Sequence, residues 1–575
     1  MASSFEDSAR AQAIAAGGTP AGGLVDEFLN RRIDRRQFLS RAAMIGLSAS
    51  TAGAILAACG SGSANPGTTG SPGTATTAPP PPTKTLSWRP VADVSNVDPA
   101  ILSGLEDPTY VQCFLETLIT YRPGTNEQVN CLAESFEKSP DGKQFHFTLK
   151  QGIPFQKGYG EMQASDVKYS FERIAGLTKP NLHSPYQGDW AALESVRVDS
   201  KYSGTIIMKE IFAPTVTATL AGAGVASGMV VSEKAVERLG KKFGTNPVGT
   251  GPYEWTSWVP GQKLVMTKFP GYGGANKAYA NKFLFEEIDA IPIKSDDTAY
   301  AALESNELNF CEMGTSTVKQ AKSNSSLKVY STPSGLYYWL AMNVTEPPLN
   351  NIWLRKAIRS AIDVPGIIKD AYNGIYTRTN AIIPKSLGIG YWPDAPQYNQ
   401  NIDLAKSYLR KSGLTNVVLK LNVDNVPDDV SASQIIAANL GQIGIKVNVD
   451  PIDPAVISNL PGPGGGGAHP QLLYYYYGGQ SDPNEWFQWW TCAQMGLWNW
   501  DHWCNPEFTK LTNEALATYN IAERTKLYIE AQKLWDSVAG MVWICNSDNF
   551  IGCQPYVKPS FLAQGGLLIW NTTAV

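Results

Sequence analysis

Asp141-Gly142-Lys143-Gln144-Phe145-His146-Phe147-Thr148-Leu149-Lys150-Gln151-Gly152-Ile153-Pro154-Phe155 is where the chain shows its architecture. Within it, Phe145 to Leu149 alternates apolar and polar side chains, the period of a strand with one face buried. Val418-Leu419-Lys420-Leu421-Asn422-Val423 and Ile445-Lys446-Val447-Asn448-Val449 alternate in the same way. Between and beyond them the period changes. Leu354 to Ala361, Leu404 to Leu409 and Ala522 to Val538 place apolar residues three and four apart, which gives a helix one apolar stripe. The mixture predicts an α/β protein with strands enough for more than one sheet. Two punctuated stretches interrupt it. Asn246-Pro247-Val248-Gly249-Thr250-Gly251-Pro252-Tyr253 packs two Pro and two Gly into eight residues and is expected to be a hinge, and residues 461–467 read as a glycine-rich surface loop. No internal repeat of fixed period is present.

A chain of 575 residues has room for two to four domains. With 43% hydrophobic and 17% charged residues it is globular in composition and able to form cores. Its net charge of -4 and the absence of any Lys/Arg stripe argue against nucleic acid as a partner. The 16 Trp and 25 Tyr suit both cores and ligand pockets, since each ring joins an apolar face to a polar handle.

The amino terminus reads as an address. Asp34-Arg35-Arg36-Gln37-Phe38-Leu39-Ser40-Arg41 precedes an uncharged run, residues 42–58, that is short and diluted by Gly, Ser and Thr. That is the pattern of a signal peptide, not of a membrane span. Arg35 and Arg36 sit in a sequence that resembles the twin-arginine export signal, and Leu56-Ala57-Ala58-Cys59 resembles the lipobox of bacterial lipoproteins. The resemblance implies cleavage before Cys59, acylation of its sulfur, and a mature protein lipid-anchored at the outer face of the cytoplasmic membrane or in the periplasm. Anchoring of this kind draws about 0.8 kcal/mol from each buried methylene, so more than one acyl chain is needed to hold it. Residues 60–83 are Gly, Ser, Thr, Ala and Pro with a single Asn and no large apolar side chain. They form a tether with a reach of about 25–30 Å.

Without Cys59, seven cysteines remain, so they cannot all pair. Outside the cytosol a disulfide is permitted, and Cys492 with Cys504 closes a short loop rich in Trp and Asn; Cys113 with Cys131 is the second expectation. A zinc site at Cys492, His502 and Cys504 lacks a fourth ligand and any C-x-x-C spacing. The catalytic inventory is thin: there is no G-x-S-x-G, H-E-x-x-H or G-x-x-x-x-G-K-[ST] motif, and the four histidines do not pair on a helix. His146, in an alternating strand, is read as a surface or core residue, and no enzyme is expected.

The block from Asp141 to Phe155, followed by Ala164-Ser165-Asp166-Val167-Lys168-Tyr169-Ser170-Phe171-Glu172-Arg173, resembles the family 5 extracellular solute-binding proteins of ABC importers, which include dipeptide-, oligopeptide- and nickel-binding proteins. Pro247 to Tyr253 is similar to the family's most recognisable string. Leu354-Arg355-Lys356-Ala357-Ile358-Arg359-Ser360-Ala361-Ile362-Asp363, Ser481-Asp482-Pro483-Asn484 and Arg524 to Trp535 continue the likeness in order. The resemblance implies a large, type II periplasmic-binding-protein fold of two lobes, with an extra subdomain in the first. By analogy, residues 1–58 are the export signal and 59–83 the tether. The first lobe takes 84–130, 245–335 and 540–575, the extra subdomain 131–244, and the second lobe 336–539. Such a protein closes as a hinge on its ligand, works as a monomer without a cofactor, and passes the ligand to a permease.

In dipeptide-binding members an aspartate that pairs with the ligand's amino terminus stands three residues before the Asp-Pro matched here by Asp482-Pro483, and this chain has Gly479 there. An ammonium taken into a cleft needs a carboxylate partner. Asp482 is the substitute candidate, with capping of the turn before Pro483 as its competing role. Tyr474 to Tyr477 should alternate between faces and send half of their rings to the cleft. The expected ligand contacts are therefore Trp339, Tyr475, Tyr477, Gly479, Asp482 and Trp486. A peptide is the first ligand class; an oligosaccharide, haem or a metal chelate is the alternative, although no His cluster marks a nickel site.

Overall fold

The computed structural model describes residues 84–574, apart from 103–106, 179–181, 183, 223–225, 273–284, 458–469, 480 and 496. The export signal, Cys59, the tether and the 461–467 loop lie outside the described residues.

The alternating stretch within residues 141–155 forms the strand Gln144–Leu149, with Phe145, Phe147 and Leu149 buried and His146 and Thr148 exposed. It pairs with Ala133–Lys138 on one side and Ser203–Met208 on the other, and Leu193–Ser200 completes a four-stranded antiparallel sheet. Gly204 is required there, because a Cβ would stand 2.6 Å from the Phe147 ring and 2.7 Å from the Arg197 carbonyl. The helix Ala164–Ile174 follows, opened by a reciprocal cap between Gln163 and Asp166. It is tied down at its far end, where the Arg173 guanidinium donates to both oxygens of buried Asp98 at 2.8 and 2.7 Å.

A second, larger sheet has eleven strands. Its path runs Tyr253–Val259, Lys263–Lys268, Glu287–Ala290, Thr85–Arg89, Phe310–Met313, Met541–Cys553, Lys328–Met342, Leu472–Gly478, Val418–Asp424 and Lys446–Ile452, with Thr377–Arg378 paired beside Met541–Cys553. Two of these, Lys328–Met342 with 15 residues and Met541–Cys553 with 13, are long enough to serve both ends of the molecule. Phe310–Met313 pairs with residues 550–553 at one end, and Leu472–Gly478 pairs with residues 336–342 at the other. Midway, their mutual register breaks between Pro333 and Tyr337 and slips again between Tyr338 and Trp339, and Gly335 takes φ +79° in the gap. Such irregularities bend a strand and raise its twist. The two lobes are joined there.

The 246–253 stretch is not the hinge. Gly249 and Gly251 press against the backbone of the helix end at Cys113 and Phe114: a Cβ on Gly249 would lie 2.1 Å from the Phe114 carbonyl oxygen, and one on Gly251 would lie 2.6 Å from that of Cys113. Buried Gln156 clamps the same stretch, donating from its side chain to the Gly251 and Tyr253 carbonyls at 2.9 and 2.7 Å. Its glycines serve close backbone approach, a requirement that leaves the same sequence mark as flexibility.

Beyond the crossing strands the sheet is covered on both faces. One face carries an aliphatic core in which Leu340, Met342 and Leu421 meet Leu354 and Ile358 of the helix Ile352–Ala361, capped by Asn351. The other face is aromatic, with Trp339, Trp486, Trp490, Trp503 and Trp535 packed together. Tyr474 joins the first core and Tyr475 and Tyr477 the second, so the tyrosines do alternate, but both faces are interior. Near this aromatic core Cys492 and Cys504 form a disulfide. Cys113 and Cys131 stay thiols, and the Cys131 sulfur faces a Glu116 carboxylate oxygen at 4.0 Å instead.

Candidate functional site

A cavity of about 510 Å³ opens where three parts of the chain meet. Residues 185–189 and 212–219, which flank the strands Leu193–Ser200 and Ser203–Met208, supply Tyr186, Asp189, Phe212, Pro214 and Thr219. The crossing strand supplies Ser334 and Leu336, and the far lobe supplies Gly478, Gly479, Asn484, Glu485, Gln488 and Trp489. Its size falls within the range of pockets that hold small-molecule ligands.

Hydrogen bonds bridge the two sides around it. The Ala213 N–H donates to the Leu516 carbonyl at 2.8 Å, and the Tyr519 hydroxyl donates to the Gly142 carbonyl at 3.2 Å while Lys138 lies 4.3 Å over the same ring. The Thr217 hydroxyl donates to Asp482. Farther along the interface, the Thr315 hydroxyl donates to Asp428 at 2.6 Å. The lobes are therefore in contact, and the cavity is enclosed by both.

Of the six expected ligand contacts, Gly479 lines the cavity, and the other five lie behind its wall. Trp339 is fully buried and meets Tyr477 and Trp490 edge-on. The rings of Tyr475 and Tyr477 are interior too, and the Tyr477 hydroxyl donates to the Trp498 carbonyl. Asp482 is 0% exposed and spends both oxygens on Arg524, which donates to them at 2.7 and 2.8 Å and is itself buried. It also accepts the Asn484 N–H at 2.9 Å, the turn-capping role. An aspartate committed to a buried guanidinium has no capacity left for a ligand ammonium.

Trp486 accounts for the glycine at 479. A Cβ on Gly479 would stand 2.4 Å from the indole Nε1 of Trp486 and 2.6 Å from its Cδ1. The ring occupies the space into which a side chain would grow, so an aspartate here would require Trp486 to move. Stacked on Tyr337 with centroids 4.8 Å apart, the indole is fixed. Its N–H is buried and has no acceptor among the described residues.

The carboxylates that do reach the cavity are Asp189 and Glu485. Asp189 is half-buried and accepts the Ser227 hydroxyl at 2.7 Å; burial pushes its carboxyl above the usual range, and that hydrogen bond offsets only part of the rise. Glu485 accepts the Ser481 N–H at 3.3 Å from the start of the short helix Asn484–Phe487. Tyr186 is positioned by its hydroxyl, which donates to the Leu102 carbonyl at 2.9 Å. Trp489 packs between Tyr477 and Trp498. None of Trp489, Asp189 and Glu485 is among the residues expected from the sequence: Trp489 is one aromatic among many, and the two carboxylates lie some 300 residues apart in the chain and carry no motif.

A second cavity of about 320 Å³ lies beside the crossing strands, lined by Arg378, Lys385, Trp392 and Asp548 among others. No group of three or more His, Cys, Asp or Glu poised to hold a metal occurs among the described residues, and no described helix is long and apolar enough to cross a membrane.

The sequence and the fold have known counterparts. The probable D,D-dipeptide-binding periplasmic protein of Escherichia coli K12 is 27% identical over 484 residues, covering 81% of this chain and 89% of its own. The glutathione-binding protein of Shigella flexneri serotype 5b is 25% identical over 420 residues, 70% of this chain and 78% of its own. The solved structure of HbpA2 from Haemophilus parasuis superposes with a TM-score of 0.75 at 22% identity, covering 85% of this chain and 100% of that one, which places the protein in the two-lobed periplasmic-binding fold. The sequence profile described as bacterial extracellular solute-binding proteins, family 5 middle, matches residues 127–496. With that match extending over more than half of its length, and with a cavity enclosed by two lobes rather than a catalytic constellation, the chain belongs to the bacterial extracellular solute-binding proteins of family 5.

Proposed function

We propose that this protein captures a peptide in the interlobe cavity and delivers it to the permease of an ABC importer. The observation that carries the reading is the cavity of about 510 Å³ whose wall is complete only when both lobes contribute. A ligand there is touched from both sides, so its binding energy goes into holding the lobes together, and a permease that recognises the closed form thereby recognises the loaded one. The dipeptide- and glutathione-binding relatives favour a short peptide as the ligand class. Gly479 and its neighbours on the strand end form the far-lobe wall of the site.

Thermal unfolding of the full chain with peptides of two to four residues, oligosaccharides, haem and nickel chelates tests this. A peptide at 100 times its dissociation constant adds about 2.7 kcal/mol to the folded state and raises the melting temperature. A rise with sugars, haem or chelates and none with peptides overturns the ligand class and leaves the fold untouched. The finer address is part of the same proposal: the protein is held at the membrane by acylated Cys59 through the 60–83 tether. A Cys59→Ser protein should leave the membrane fraction, and one that stays there defeats the anchor.

A further inference from the structure

The cavity wall carries charge of one sign. Among its described lining residues the charged ones are Asp189 and Glu485, which approach from opposite lobes, and no Lys, Arg or His lines it. Three aromatic rings, of Tyr186, Phe212 and Trp489, share that wall. Ring faces attract cations, most strongly where water is excluded. Behind Gly479 the Trp486 N–H is buried without an acceptor among the described residues, its nitrogen 2.4 Å from the place a Gly479 Cβ would take. Buried donors of this kind are satisfied in nearly all native structures, so this N–H is left to donate to an acceptor from outside the described protein groups, such as a ligand carbonyl oxygen. Basic groups are close by, but in the second cavity, where Arg378 and Lys385 stand with Asp548.

We infer that the interlobe cavity selects its ligand by positive charge, taking an ammonium or guanidinium between Asp189 and Glu485 and making no ionic contact with a carboxylate. The inference rests on the peptide reading for the ligand's backbone, but its charge rule applies equally to an amine that is not a peptide. A zwitterionic peptide brings in an anion that meets two carboxylates and, among the described lining residues, no cation. Desolvation of that anion goes uncompensated and the repulsion adds to it. A peptide with an amidated carboxyl terminus avoids both costs, and one with a basic side chain offers a second cation to the same wall. The aspartate that the resemblance places at 479 is thus replaced by two carboxylates reaching in from either side.

Titration calorimetry on the full chain separates the possibilities with five probes: Ala-Ala-Ala, its carboxyl-terminal amide, its N-acetyl form, Lys-Ala-Ala and spermidine. The amide and the lysine peptide should each bind about tenfold or more tighter than Ala-Ala-Ala, and the N-acetyl form at least about tenfold weaker. Asp189→Asn and Glu485→Gln should each shrink the preference for the amide over the free acid, with the melting temperature of the unliganded protein showing that both variants fold. An amide that binds no better than the free acid, or an N-acetyl peptide that binds as well as the free amine, overturns the charge rule while peptide capture stands. Spermidine binding that is lost in Asp189→Asn, with no peptide bound, keeps the charge rule and ends the peptide reading. Failure of every cationic probe to bind ends both.

Discussion

Asp482 and Asp189 are two carboxylates at the interlobe cavity with opposite employment. Asp482 is wholly buried and held by both arms of the Arg524 guanidinium, with Thr217 and Asn484 taking up its remaining acceptor capacity. Asp189 is half-buried on the cavity wall, where its carboxylate accepts the Ser227 hydroxyl at 2.7 Å. The motif that makes Asp482 conspicuous in the sequence marks a structural ion pair, whereas Asp189 sits in no motif and faces the space where a ligand goes. Conspicuous residues can serve the frame of a site as well as its surface. The first lobe has a similar frame element in Arg173 and Asp98, again drawn from a recognisable block.

The difference can be broken most forcefully at the frame. Replacing Arg524 with Met leaves Asp482 buried without its cation, which should cost about 3–5 kcal/mol. The urea midpoint should fall with an unchanged slope. A loss below about 1 kcal/mol would mean that Asp482 is not committed to Arg524 and is available to a ligand after all.

Gly479 gives the next effect. Gly479→Asp puts a side chain into the space of the Trp486 indole and should cost about 1–3 kcal/mol, as overpacking of an interior does. Adding Trp486→Ala should recover part of the loss, so the pair is non-additive in a double-mutant cycle measured by the same unfolding experiment. Additive losses would show that the two residues do not compete for one space.

Asp501 sharpens the contrast by being as buried as Asp482 but without a bidentate cation. It accepts the Trp535 indole N–H at 2.9 Å, and burial pushes its carboxyl up to about 7 despite that bond. An unfolded aspartate titrates near 3.9. Between those values the unfolded chain has released a proton that the folded chain retains, so this group's contribution to stability falls as pH rises from about 4 to about 7 and is level on either side. Asp501→Asn removes the slope. The stability of the variant relative to the parent should therefore improve from pH 4.5 to 7.5 in parallel urea titrations, and a difference that stays constant would show Asp501 ionised throughout.

What was legible in the sequence was whatever depends on local period and composition. The alternation at Phe145, Phe147 and Leu149 and the spacing of Leu354, Ile358 and Ala361 are visible because each strand or helix buries one face. The Cys492–Cys504 pair was legible because it closes a short loop. The hinge was misplaced because Gly249 and Gly251 look alike whether they flex or admit the backbone of Phe114, and the real crossing runs through strands whose middle carries only a bulge. The aromatic candidates lie in the interior and not on the cavity wall, because sheet alternation says which face a ring takes but not whether that face meets solvent or a second core, and here both faces are covered. The cavity wall was invisible for a different reason: Asp189, Leu336 and Glu485 are neighbours only after three distant segments have packed.

The smallest effect on stability should come from the residue with the largest effect on the ligand. Asp189→Asn keeps an oxygen able to accept the Ser227 hydroxyl and removes a charge that burial already disfavours, so unliganded stability should change by no more than about 0.5 kcal/mol, toward stabilisation. Arg524→Met and Asp189→Asn then form opposite corners of one comparison: the first lowers the urea midpoint, and the second leaves it in place while removing one of the two carboxylates that face the cavity. A large destabilisation in Asp189→Asn would move Asp189 into the frame beside Asp482, and the carboxylate that greets the ligand would have to be Glu485 alone.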